Sequence, residues 1–384
     1  MINNLVCLGL ILVPYLTLLG FHGREDRLMF SSIIALILGI SWFCNVKRGK
    51  LFFGVIGFIA YIGLATYLSP KQIVIYNGVN VRNFYVWRCL FYLVSYSMAF
   101  LALVNTKVNK KLIETVIIWT ATVMAFHSLV QATGILQFVA TDASNKLYGM
   151  VGFLGNRAIL SCFLALCVPI AIHNKKYVQS AIIILAVIIT RCQVPIFSLL
   201  IGGLVYVVIL KPRLLYSIVL MLVVFATVCC VDVCVNENGR DRLLFSDSYR
   251  LMNWKATVED SLMSINGHSY FYTGKGLGSY KLFYHIDKPK NMGNYYEVHN
   301  EYLEVLYELG LYGLLVVLGL IYLLVFNVPF TKHNAYLYAT ITTMVLIAWG
   351  MFIWQLGSTA FYSLIILAIH NNKYMEINNG SKSC

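Results

Sequence analysis

Charge is what this sequence has least of. Only 12% of its 384 residues are charged, and just 16 of them are acidic. Together with 59% hydrophobic residues and a mean hydropathy of +0.75, that excludes an ordinary soluble globular domain. The ten cysteines include no CxxC pair and none falls in the one long polar segment, so neither a zinc site nor a disulfide framework is indicated. Internal repeats are also lacking, as are low-complexity tracts beyond the short polar tail. The formal net charge of +13 is not a nucleic-acid signature, because no polar stretch forms a basic face with interleaved aromatics.

What is present is a series of apolar runs near the length that crosses a hydrocarbon core. They lie at 2–21, 28–44, 51–68, 84–104, 112–138, 158–172, 178–190, 193–210, 214–235, 302–327, 335–354 and 356–370. Each is continuously apolar rather than alternating, which predicts helices and not barrel strands. The expectation is an all-α integral membrane protein of about 12 transmembrane helices. The first run has no basic segment before it and no small-residue cleavage site before Arg24-Glu25-Asp26-Arg27, so it reads as an uncleaved helix.

Lysine and arginine orient the chain. With the N-terminus inside, the inner loops collect Lys47, Arg48, Lys107, Lys111, Lys175, Lys176, Lys211, Lys332 and others, while the shorter outer set includes Arg24, Arg27, Arg82, Arg157 and Arg191. Both termini are then cytoplasmic. Segment 1–235 carries helices one to nine, 236–300 forms a large extracytoplasmic loop, 301–370 carries helices ten to twelve, and 371–384 is a cytoplasmic tail. Within the loop, Leu251, Trp254, Val258 and Leu262 recur at a helical period, as in an amphipathic helix lying on a membrane surface.

The polar residues near the membrane boundary are the candidate sites. His299 and Asn300 precede Glu301, Glu304 and Glu308, which also read as acids solvating a helix start and favouring its dipole. Arg191 sits in "IITRCQVP" with apolar sequence on each side, a costly place unless it reaches the interface or a polar cavity. Arg88, one turn inside its run beside aromatics, reads as snorkelling. "GKGLGSY" at 274–280 lacks the flanking strand and helix of a phosphate loop and reads as a turn. His268, His285 and His299 fit no metal-ligand spacing.

Taken together, "DSYRLMNWKATVED", "GKGLGSY" and "HNEYLEVLYELGLYGLL", between Asp247 and Leu315, resemble the O-antigen ligase and polymerase superfamily of polytopic glycosyltransferases. "GFLGNRAILSCFLALCVPIAI" and Thr190-Arg191 extend the resemblance. His299-Asn300, nine residues, Gly310, two residues and Gly313 match the superfamily's His-Asn…Gly-x-x-Gly signature. The resemblance implies a class C glycosyltransferase-like helical fold and metal-independent transfer of a glycan without a cofactor. The donor it implies is linked to undecaprenyl diphosphate, and the acceptor is lipid A core or another glycan. It also implies a catalytic His299 and a diphosphate-binding pair, Arg191 and Arg250, with Arg157, Asn300 and Glu304 as secondary candidates. The setting is the outer face of a bacterial inner membrane, in lipopolysaccharide or surface polysaccharide biosynthesis. The chain departs from the pattern at Thr190, at Asn156-Arg157-Ala158 and at Leu314, where ligases often carry a hydroxyl residue. Polymerase therefore stands beside ligase. Lipid-linked glycan transport is a further alternative, although charge is nearly absent at mid-helix positions.

Overall fold

The computed structural model describes residues 2–19, 24–69, 75–76, 79–134, 150–212, 248–265, 268–280, 298–351 and 353–372. Within them the chain forms α1 (Ile2–Leu12), α2 (Arg24–Trp42), α3 (Lys50–Leu68), α4 (Val81–Val104), α5 (Lys110–Ala132), α6 (Arg157–His173), α7 (Tyr177–Ile189) and α8 (Gln193–Leu210). It continues with α9 (Ser248–Leu262), α10 (Glu301–Phe326), α11 (Ala335–Gly350) and α12 (Gly357–Asn371). Two antiparallel ladders pair two-residue strands, 75–76 with 79–80 and 264–265 with 268–269. The fold is that of an α-helical membrane protein.

The run predicted at 214–235, most of the predicted loop and the C-terminal tail lie outside the described residues. Every other predicted run falls on a helix, but the expectation of about 12 spans is not reproduced. Among the described residues five helices are both long and apolar enough to cross a membrane: α3, 86–104 of α4, α5, α8 and α10. The others are shorter or carry charge. Pro14 lacks an amide hydrogen, and α1 passes there into 3-10 turns over Val13–Leu19. The apolar run from 335 breaks after Gly350 into a short turn at Ile353–Gln355 before α12. The charged stretch Arg24–Arg27, expected as an outer loop, is instead the first turn of α2. There Arg27 is buried and donates to the Leu154 carbonyl at 2.9 Å.

Helix α6 forms the axis, with every residue from Ile159 to Ala171 buried, as a helix apolar on all sides requires. It packs against α5, α7, α8 and α11. Small residues permit the closest approaches: a Cβ on Gly202 of α8 would lie 2.7 Å from the Ala339 carbonyl of α11. Apolar side chains such as Ile37, Phe53, Leu64, Leu200 and Leu318 remain exposed around the outside, the surface that lipid covers.

The deep polar residues fasten elements together. Gln131 accepts from the Val151 and Gly152 amides at 3.2 and 2.7 Å, and His127 stacks on Phe153 with centroids 4.0 Å apart. At the opposite end of the bundle, Glu114 accepts from Tyr336 and from Asn174 Nδ2, the latter at 3.0 Å. The Gln131 oxygen thereby satisfies two buried amides, and Glu114 satisfies the Tyr336 hydroxyl, groups that would otherwise be costly to bury.

Candidate active site

The site is built on a broken helix. Asn300 caps α10, its side-chain oxygen accepting from the Tyr302 and Leu303 amides at 3.0 and 3.1 Å. Three turns on, Gly310 adopts φ 69° and ψ −174° and interrupts the helical hydrogen bonds. The groups set free are paired again by the glycine-rich segment. The Tyr307 and Glu308 carbonyls accept from Lys275 and Gly276 amides at 3.0 and 2.8 Å. In return the Leu311 and Tyr312 amides donate to the Phe271 and Tyr272 carbonyls at 2.8 and 3.1 Å. Tyr61 of α3 donates to the Leu309 carbonyl at 2.7 Å. "GKGLGSY" is thus a turn, with Gly274, Gly276 and Gly278 all at positive φ, and its partner is protein backbone.

The same segment ties α9 to α10. Lys275, only 4% exposed, donates to Asp260 Oδ2 at 2.8 Å and to the Tyr307 hydroxyl at 3.4 Å, and lies 4.5 Å from the Tyr307 ring centroid. Tyr280 donates to Asn253 Oδ1 at 3.0 Å, and its amide donates to Glu308 Oε1 at 3.3 Å. Asn253, Thr257 and Ser261 form the buried stripe of α9, while Leu251, Val258 and Leu262 are left exposed. Three of the four residues of the predicted apolar stripe therefore face away from the protein, as on a helix resting on lipid, while Trp254 turns inward onto Val298.

His299 sits at the junction, half-buried between buried Val298 and Asn300, with φ at 55°. The Trp254 indole of α9 donates to the Val298 carbonyl at 2.9 Å. Trp349 of α11 stands against Trp254 and Tyr302, with centroids 6.5 and 6.1 Å away. On the far side, Glu301 accepts from the Trp354 amide at 2.9 Å and from Gln355 at 3.3 Å. Three separate elements thus fix the backbone that carries His299.

Arg191 occupies the corner between α7 and α8. Its side chain is exposed and its φ is 53°. Val194, three residues on, packs on Gly350 at the end of α11, so this corner belongs to the same end of the molecule as Trp349 and His299. Lys175 is the one other non-glycine residue with positive φ among those described. Such backbone is uncommon outside glycine and collects at functional positions. Arg157 is half-buried at the first position of α6, beside the Asn156 cap. Arg250 lies in the first turn of α9, and its side chain is outside the described residues. Asn300 works as the helix cap.

Two expectations are corrected here. Glu301, Glu304 and Glu308 do not solvate a helix start: they are 5%, 6% and 7% exposed and line one wall of a cavity of about 400 Å³. Arg88 lines the same cavity from α4, so its side chain is not simply directed to the interface. The acids' spacing of three and four residues put them on one face, but no sequence signal showed that the face was internal. Among the described residues no group of three His, Cys, Asp or Glu side chains could hold a metal ion; His285 lies outside them.

Residues 178–318 match the family model described as O-antigen ligase, so the resemblance carried by the motifs is borne out over that stretch. The match runs from α7 into α10 and includes Arg191, Arg250 and His299. Among curated proteins no relative matches the chain.

Proposed function

We propose that the protein is a polytopic glycosyltransferase of the O-antigen ligase type. In this reading it moves a glycan from an undecaprenyl-diphosphate carrier to an acceptor hydroxyl at the outer face of the bacterial inner membrane. The observation that supports it most is the coincidence of the family match with the broken-helix site, where His299 is held in left-handed backbone above a wall of carboxylates.

The acceptor hydroxyl must lose its proton as its oxygen bonds to the anomeric carbon. The bond from that carbon to the diphosphate oxygen breaks, and the electron pair leaves with the diphosphate. His299 takes the proton, a role suited to imidazole because its ordinary pKa lies near neutrality. Arg191 and Arg250 hold the departing diphosphate with their planar forks and stabilise the charge it gains. Lipid A core is the acceptor in the ligase reading. A second lipid-linked repeat unit is the acceptor in the polymerase reading, which Leu314 after the second signature glycine favours.

The test is reconstitution of the purified protein with a lipid-linked oligosaccharide and either acceptor. Transfer that requires the diphosphate carrier and is lost in His299→Ala is expected. Unimpaired transfer by that variant would remove the histidine from the reaction. Which acceptor is extended separates ligase from polymerase.

A further inference from the structure

The cavity behind His299 has an acidic end and an apolar shaft. Helix α10 presents Glu301, Glu304 and Glu308 to it above the Gly310 break, and Leu320 and Leu324 below. Glu301 accepts from the Trp354 amide and from Gln355 just before α12, so α10 and α12 start side by side. At a rise of 1.5 Å per residue, Glu304 lies roughly 5 Å into α10 and Ser363 roughly 9 Å into α12. Both line the cavity, which puts them together at its acidic end.

Two polar atoms there are buried and left over. Glu304 is 6% exposed and its Oε2 has no hydrogen-bond partner among the described residues; the Ser363 hydroxyl, 2% exposed, has none there either. Burial without a partner costs free energy that a ligand donor removes. A proton on that Glu304 oxygen would not end the cost, because the new O–H meets no acceptor among the described residues. The other two acids are engaged, Glu301 by Trp354 and Gln355 and Glu308 by the Tyr280 amide. Those donors are neutral and leave the carboxylate charge in place.

Charge decides what fits. Three glutamates against one arginine, Arg88 of α4, give the lining a formal excess of two negative charges. Arg88 has an interaction of its own, and a single guanidinium offsets at most one of the three. An anionic head entering this end meets like charge in surroundings that screen it poorly. The diphosphates of the donor and of a lipid-linked acceptor therefore belong elsewhere. A neutral head supplies hydrogen bonds but leaves the charge uncompensated. An ammonium supplies both, with three N–H donors and a positive charge. A bare metal ion does not replace it, since among the described residues no group of three His, Cys, Asp or Glu side chains could hold one. The apolar shaft below the acids requires that the cation carry a chain.

We propose that this cavity binds an amphiphile with a primary-ammonium head, its nitrogen donating to Glu304 and its chain in the shaft. The inference goes beyond glycosyl transfer and needs no role for His299. An amino-headed phospholipid of the bilayer and an amino sugar on a lipid chain share this chemistry. They differ in the phosphate that the first carries beside its nitrogen.

The experiment uses the full-length protein in phosphatidylcholine nanodiscs, whose choline heads have no N–H to donate, slightly below neutral pH so that amines are charged. Four photoreactive probes share one diazirine-bearing alkyl chain and form two matched pairs. One pair carries phosphoethanolamine or phosphoethylene glycol, the other a 2-amino-2-deoxyglucoside or a glucoside, so each pair differs by an amine against a hydroxyl. Saturable labelling of α4 and α10 peptides is read by mass spectrometry. In at least one pair the amine should half-saturate at about tenfold lower concentration than its hydroxyl partner. Glu304→Gln keeps the size of the side chain and removes its charge. It should raise the half-saturating concentration of that amine about tenfold, the effect of losing one charge-assisted hydrogen bond, and leave the hydroxyl partner unchanged. Leu364→Trp, which fills the shaft, should abolish labelling by the amine in a protein that stays monodisperse. A preference for the amine in neither pair would overturn the proposal, as would amine labelling indifferent to Glu304→Gln or to Leu364→Trp. Tighter labelling by phosphoethanolamine identifies the occupant as an amino-headed phospholipid, and tighter labelling by the amino glucoside identifies it as an amino sugar on a lipid chain.

Discussion

Gly274 and Gly310 lie back to back: a Cβ placed on either would be 2.5 Å from the other's backbone nitrogen. Both also have positive φ, 78° and 69°. This contact explains the first glycine of the signature physically. It lets α10 break, and lets the loop that braces α9 reach the broken turn.

Gly310→Ala should therefore reduce folded protein and activity together. Backbone at φ 69° and ψ −174° is essentially confined to glycine and costs an alanine about 1–3 kcal/mol, and the overlap with the Tyr272 peptide adds to that. Gly319→Ala, on the same helix with nothing within 4 Å of its added Cβ, should be neutral or slightly stabilising. Thermal unfolding in detergent compares the two. Equal melting temperatures would refute the account of the break.

Lys275 and Asp260 connect the loop to α9 across 2.8 Å, with the lysine buried and the Asp260 side chain 45% exposed. Because the aspartate is half in solvent, the pair should contribute only about 1 kcal/mol. A double-mutant cycle of Lys275→Met and Asp260→Asn should give a coupling energy of that size in unfolding measurements. No coupling would show that the lysine is held by the Tyr307 ring instead.

Helix positions were legible because runs of Leu, Ile and Val that long have few other stable states in a membrane. The closely spaced runs at 178–190 and 193–210 form α7 and α8, broken at Arg191. The facing of helices was not legible. Around α9 the apolar period is real, yet the polar stripe Asn253, Thr257 and Ser261 is what packs inward, because Tyr280 offers Asn253 a partner and the two hydroxyls are satisfied by carbonyls of their own helix. The burial of Glu304 was hidden for a similar reason. Three acids at a helix start look the same in sequence whether water or a cavity faces them. Gly310 was visible as a motif, but only the loop's backbone shows why a glycine is needed.

The basic-residue asymmetry predicts that α9 faces outward and the Lys107 turn inward. Lys255, whose side chain is 78% exposed, is a suitable reporter on α9. In a cysteine-free background, Lys255→Cys should react with an impermeant maleimide in intact spheroplasts, and Lys107→Cys only after lysis. The reverse pattern would invert the topology and place the site on the cytoplasmic face.

His299 has φ of 55°, which a glycine adopts more readily than a histidine or an alanine. His299→Gly should thus be at least as stable as His299→Ala, and both should be inactive in transfer. Matching stability with retained turnover in either variant would show that this position shapes the chain turn and takes no proton.

Arg191 and Arg250 are proposed to grip the diphosphate jointly, so lysine at either position should fail nearly as badly as alanine. Arg191 is exposed at a strained corner and lies at the His299 end of the molecule, which gives its side chain reach toward a headgroup. Arg250 starts α9, the helix that Trp254 fastens to the Val298 carbonyl beside His299. Lysine keeps the charge but loses the fork that meets two phosphate oxygens at once. Losing one charge-assisted hydrogen bond, about 1.5–3 kcal/mol, slows transfer roughly ten- to hundredfold if the bond forms in the transition state. Binding of the lipid-linked donor should weaken as well, while His299→Ala should still bind it. Titration of the purified variants with the donor, followed by single-turnover assays, separates the two effects. Unchanged binding and turnover in both Arg191→Lys and Arg250→Lys would reduce these arginines to interfacial anchors.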